Sequence, residues 1–146
     1  MTSEVFSRLA CWDRDRDLIW QIRQKVFVIE QQVDPELEWD GEDEDAEHAL
    51  AGLTADEIVA TGRLQADGKI GRMAVLPEWR KHGLGTAILN ELVDAARKSG
   101  LSDAYLHAQT HALNFYQRHG FIAEGPEFDE AGIPHRLMRR KLKAPE

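Results

Sequence analysis

The stretch from Ile70 to Lys98 constrains this chain most: an apolar run stopped by a proline, a basic turn with two glycines, then an apolar repeat of four. Ile70 to Leu76 has the character of a strand, and Pro77, lacking an N–H for a ladder bond, ends it. Leu84, Ile88, Leu92 and Ala96, with Ala95 alongside, mark one face of a helix that closes at Ser99-Gly100. Between strand and helix lies Arg80-Lys81-His82-Gly83-Leu84-Gly85. The first turn of a helix carries N–H groups without intrahelical partners and the positive end of the macrodipole. Glycines at 83 and 85 let an anion approach that backbone without meeting a Cβ, and Arg80 and Lys81 add positive charge. An ordinary turn with a solvated basic patch would use the same residues. Neither a P-loop, which needs Lys-Ser or Lys-Thr after its glycines, nor a dinucleotide fingerprint, which needs a third glycine where Ile88 stands, fits.

A chain of 146 residues is expected to form one domain, 1–146, with a core of its own. No apolar run approaches a membrane span and no signal-peptide pattern opens the chain, so a cytoplasmic protein without a membrane partner is expected. The lone Cys11 has the character of a small buried hydrophobe, with no metal set and no nucleophile signature around it. A net charge of −8 argues against nucleic acid as a partner. That charge is concentrated: no Lys or Arg occurs from Val26 to Gly62, while Glu36, Glu38, Asp40, Glu42, Asp43, Glu44, Asp45 and Glu47 crowd one loop. Acidic runs are ordinarily solvated; the alternative is that part of this one attracts a cationic acceptor.

In chain order, Glu4 to Ala10 alternates as a first strand, and Asp13 can cap a helix from Arg14 to Val28 on Leu18, Ile22 and Val26, with Ile19 and Trp20 widening its face. Gln31 to Asp45 forms a loop or short helix. Ala46–Leu53 and Glu57–Gln65 are strands, and Asp67-Gly68 turns into the next, near Lys69. After the glycine turn and its helix, Asp103 to Ala108 is a short buried strand. Thr110 caps a helix through His119, and Phe121–Glu124 and His135–Leu142 form a hairpin around Asp129 to Gly132. The order β-α-α-β-β-β-α-β-α-β-β implies an α/β (α+β) fold: a mixed, mostly antiparallel sheet with helices on both faces.

Arg-x-x-Gly-x-Gly after a strand ending Val-x-Pro resembles the pyrophosphate loop of the GNAT (Gcn5-related N-acetyltransferase) superfamily, and the element order is similar to its fold. Asn114-Phe115-Tyr116, ahead of His119-Gly120-Phe121, resembles its cofactor helix, although aromatic residues at that spacing are also ordinary core. Arg23-x-x-Val26-Phe27-Val28-x-Glu30-Gln31, Ala108-Gln109-x-His111 and Asp129-Glu130-x-Gly132-Ile133-Pro134-His135 are similar to the ElaA-like branch. The resemblance implies an acetyl-CoA-dependent N-acetyltransferase acting on an amine-bearing acceptor, as monomer or homodimer, without a metal. It implies that Arg80, Lys81, His82, Gly83, Leu84, Gly85 and Thr86 hold the pyrophosphate. It also implies cofactor contacts from Met73, Ala74, Val75 and Gln109, pantetheine binding by Asn114, and Tyr116 facing the sulfur. Strands that splay after the phosphate-loop strand would open the slot.

Direct attack of an amine on a thioester builds charge on the carbonyl oxygen, which backbone N–H groups at Met73 to Val75 are suited to stabilise. Tyr116, a phenol protonated at neutral pH, is suited to protonate the departing thiolate. An alkylamine is protonated at pH 7, so a base is needed. Candidates are Glu30, Glu38, His111 and His135, with Glu30, whose carboxyl burial would push up, and His135 ahead; a water chain is another route. A non-catalytic acyl-CoA sensor would share the loop without needing Tyr116 or a base.

Overall fold

The computed structural model describes residues 5–142. Seven strands form one sheet: β1 (Phe6–Leu9), β2 (Glu47–Thr54), β3 (Glu57–Leu64), β4 (Lys69–Val75), β5 (Asp103–Gln109), β6 (Ile122–Glu130) and β7 (Ile133–Lys141), in the order β1-β2-β3-β4-β5-β7-β6. Every neighbouring pair is antiparallel except β4 and β5. The mixed sheet and element order agree with the sequence reading. Glu4, the proposed start of β1, lies outside the described residues.

Alternation along the strands sorts the two faces. On one face Leu64, Ile70, Ala104, Leu106 and Met138 meet α3 (Leu84–Lys98), whose Leu84, Ile88, Leu89 and Leu92 are at most 1% exposed. Each such aliphatic side chain contributes roughly 1.5–3 kcal/mol by leaving water. Gly62 is needed here, because a Cβ at this position would lie 2.6 Å from Ile88 Cγ2. On the other face Ala74 packs with Ile22 and Val26. These belong to α1 (Trp12–Arg23) and to the π-helical stretch Gln24–Glu30 that continues it.

Several local expectations change. α1 begins at Trp12 with Cys11 as its N-cap, not at Arg14 under an Asp13 cap; Asp15 supplies the side chain, accepting the Cys11 N–H at 2.9 Å. Cys11 is exposed, not buried. Trp20 is exposed, and Arg23, not Trp20, completes the buried face. Thr110 caps nothing: a 3-10 turn, Thr110–Ala112, precedes α4 (Leu113–Arg118). β6 runs to Glu130 rather than Glu124 because Phe128 regains the ladder opposite His135 beyond an irregularity.

The acidic loop is not simply solvated: three of its carboxylates are tied to arginines. Within it α2 (Pro35–Glu38) starts on Asp34, whose side chain accepts the Glu36 N–H at 2.9 Å. Glu38 and Asp43 are buried and bind the wholly buried Arg23 at 2.5 and 2.6 Å. Arg63 bonds Asp43 and, through both terminal nitrogens, Asp40, each at 2.9 Å. Arg72 Nη2 reaches Asp40 at 3.2 Å; its Nε lies 3.2 Å from Glu38, out of line for a hydrogen bond. Three arginines thus meet three carboxylates, and Trp39 lies against the Arg23 guanidinium, 4.9 Å from its ring centroid. The partners of the acidic run stand just outside the window free of basic residues.

Candidate active site

β3 and β4 lose register between Thr61 and Arg63, where Gly62 faces two residues, Arg72 and Met73. Arg72 takes φ +51° at this bulge, which twists the end of β4. β4 and β5 pair only through Lys69–Tyr105 and Ile70–Leu106. From Gly71 and His107 onward they part, and a cleft of about 1390 Å³ opens there.

At one end of the cleft stands the glycine turn. Lys81 and Gly83 both take positive φ, +70° and +82°, and Gly83 precedes the first turn of α3. Lys81, His82 and Gly83 are exposed, whereas the Leu84 side chain is core, so only its backbone faces outward business. A Cβ at Gly85 would sit 3.4 Å from the Phe115 ring, in space the glycine leaves open. Thr86 Oγ1 is engaged by His119 Nε2 at 3.2 Å. Arg80 is not free: its guanidinium forms two bonds to Glu30, 2.7 and 2.6 Å, and donates from Nε to the Val75 carbonyl at 3.0 Å.

That ion pair corrects the expectation of a raised Glu30 pKa. Its hydrogen bonds from Arg80 outweigh burial and hold the carboxyl below the usual range. Glu38 is pushed up by burial, but its carboxylate is committed to Arg23. His111 is exposed and shares its Nε2 with Gln109 Oε1 at 2.6 Å; Gln109 in turn donates to Gln31 at 2.9 Å. His135 is buried, with Nδ1 on the Ile133 carbonyl at 2.6 Å and Nε2 3.7 Å from Glu130 Oε2. Asn114 is exposed on α4.

Tyr116 lies at the parting of the strands. Its hydroxyl has Met73 Sδ at 3.6 Å, a weak acceptor, and burial pushes the phenol up to about 12. Met73, Val75, Tyr116 and Gly85 all line the cleft. His107, which sequence reasoning passed over, lines it too and bonds Glu130 Oε1 through Nδ1 at 2.8 Å. The signal for it was the β5 alternation, in which Ala104, Leu106 and Ala108 are core and Tyr105 and His107 must face the other way.

Comparison with known proteins places this arrangement. Residues 20–142 match the Acetyltransferase (GNAT) domain family. The chain is 38% identical over 128 residues to protein YyaT of Bacillus subtilis, spanning 84% of this chain and 86% of that one. It is 37% identical over 123 residues to the uncharacterized N-acetyltransferase YjcF of Bacillus subtilis, 82% of this chain and 87% of that one. The crystal structure of Escherichia coli ElaA superposes with a TM-score of 0.81 at 30% identity, over 92% of this chain and 99% of that chain. The chain belongs to the GNAT family of N-acetyltransferases, on its ElaA-like branch.

Proposed function

We propose that this protein transfers an acetyl group from acetyl-CoA directly to a primary amine of a small molecule or protein. The observation that carries this reading is the cleft between β4 and β5, with the open α3 turn at one end and the Tyr116 hydroxyl at the parting. The unpartnered first-turn N–H groups of α3 suit a pyrophosphate. Acetyl-CoA supplies the activated acyl group. Residues 80 to 86 bind it, with Arg80 released from Glu30 to do so. Those backbone N–H groups of Met73 to Val75 that face the side where β4 and β5 no longer pair stabilise developing negative charge on the carbonyl oxygen; a single such donor is typically worth about 3–4 kcal/mol. Tyr116 holds a proton beside the departing sulfur. The cleft also takes in Leu37 and Phe27, which wall the acceptor side.

The test is a panel of primary amines with acetyl-CoA, read as free thiol release, on wild type and Tyr116→Phe. Amine-dependent release in wild type is expected, falling about 10²-fold in the variant, with acetyl-CoA affinity by calorimetry unchanged. Binding without release for any amine would leave an acyl-CoA sensor instead, and an undiminished Tyr116→Phe would make this residue a core aromatic.

A further inference from the structure

We propose that His107, anchored on Glu130, is the base that takes the proton from the acceptor's ammonium group where β4 and β5 part. The inference rests on the acetyl-transfer reading above and assigns the residue that reading lacks.

Position comes first. His107 is the β5 residue directly after the last pair with β4, on the sheet face turned away from α3. Its ring is half-buried, faced edge-on by Phe128 at 5.1 Å, and borders the same cleft as Met73 and Tyr116. The protonation pattern follows from its partners. Burial pushes the Glu130 carboxyl up, but the hydrogen bond from His107 is the largest of the influences that hold it below its usual range. A carboxylate only accepts, so His107 Nδ1 must carry the proton at 2.8 Å from Oε1. The neutral ring then has its lone pair on Nε2, for which no hydrogen-bond partner exists among the described residues.

The neighbours leave that nitrogen alone. His135 spends its Nδ1 proton on the Ile133 carbonyl, so its own Nε2, at 3.7 Å from Glu130, has no hydrogen to give in the neutral ring. From β5, Tyr105 bonds Asp67; from β7, Arg139 lies over the Tyr105 ring and pairs with Asp103 and Glu124. From β4, Lys69 stands beside Tyr105. Among the other candidates, Glu38 is held by the buried Arg23, Glu30 is paired with Arg80 and its carboxyl is held low, and His111 is exposed with its Nε2 on Gln109.

The proton balance is simple. The ammonium gives one proton to His107 Nε2 and keeps the electron pair for attack. Glu130 stabilises the imidazolium, which then loses the proton to solvent. As the C–N bond forms and the C–S bond breaks, the sulfur leaves with the electron pair and receives a proton, and the nitrogen gives up its second. Glu130 acts as a positioning residue: it fixes the tautomer and the ring's orientation.

Nitrogen NMR of histidine-labelled wild type, assigned with His107→Gln, tests the ring without any acceptor; when the ring is neutral, its proton is expected on Nδ1. In the amine panel, His107→Gln should lose at least 10²-fold in kcat, with melting temperature and calorimetric acetyl-CoA affinity kept. His107→Ala should regain part of the rate with added imidazole. Glu130→Gln should lower kcat by about tenfold and return the ring to a mixed tautomer, while Glu130→Asp recovers most of both. Wild type that releases thiol beside a His107→Gln variant at full rate, or a ring in the Nε2–H form, overturns the His107 role alone. Wild type that binds acetyl-CoA but releases thiol with no amine overturns the transfer reading, and this role with it.

Discussion

Glu30 and Arg80 show how one contact reassigns two side chains. Each is a plausible catalytic or binding group when considered singly, and the bidentate pair between them commits both. Both side chains are well exposed, about 40% for Arg80 and 37% for Glu30, so the pair contributes at most about 1 kcal/mol to stability. Glu30→Gln is therefore expected to keep the fold and to leave kcat within a few-fold. A 10²-fold loss with binding intact would restore Glu30 as the base. Tyr116 carries the opposite lesson about protons. With its phenol pushed up to about 12, it stays protonated across the range in which any amine assay is run. A decline in rate below pH 10 consequently has to come from another group. Neither partnership is visible at the level of residue type, because Arg80 lies fifty positions from Glu30 and the Tyr116 hydroxyl finds, among the described residues, only a methionine sulfur.

At the scale of elements, the acidic loop and α1 are one construction. Arg23, on the apolar stripe of α1, reaches into the loop and is held by Glu38, Asp43 and the Glu38 carbonyl. Removing one partner of such a buried set leaves an uncompensated charge, typically at about 3–5 kcal/mol. Arg23→Ala is expected to lower stability by that amount in urea unfolding; a loss under 1 kcal/mol would mean the network is dispensable. Neutralising Glu36, Glu38 and Asp40 together should likewise destabilise the protein, since only Glu36 of the three lacks an arginine partner among the described residues. The sequence made the strand–turn–helix at 70–98 legible because a proline stop, positive-φ glycines and a four-residue apolar repeat are local signals. The hairpin at Asp67-Gly68 was legible for the same reason, with Gly68 at φ +97°. What escaped were features set by tertiary partners. A buried arginine looks like a solvated one, the π-helical stretch has the same apolar spacing as an α-helix, and His107 gains meaning only when β6 brings Glu130 beside it.

For the whole molecule, acid is the informative perturbation. Arg63 bonds and a backbone bond from Glu42 outweigh burial at Asp40 and hold it at about 2; Asp15 and Asp43 are also held below the usual range by their arginines. A carboxyl depressed in the folded state adds stability above its unfolded pKa of about 4, and that stability is lost as pH falls through the folded value. Stability should therefore drop between about pH 4 and pH 2, with exposed Asp40, its pairing screened by solvent, contributing about 1 kcal/mol. Glu38, raised by burial, works in the other direction. Asp40→Asn should make the drop shallower in denaturant melts across that range; an unchanged slope would remove Asp40 from the account. The two register pairs between β4 and β5 have a further consequence. They divide the sheet into a four-strand part and a three-strand part that share a short seam, leaving two inward-facing backbone edges unsatisfied. A ligand bearing amides of its own can repair those edges as a missing strand would. Hydrogen exchange at residues 72–75 and 107–109 should then slow markedly when CoA is added, while the β2–β3 ladder keeps its rate. In that sense the sheet is unfinished by itself, and its rigidity becomes a property shared with what it binds.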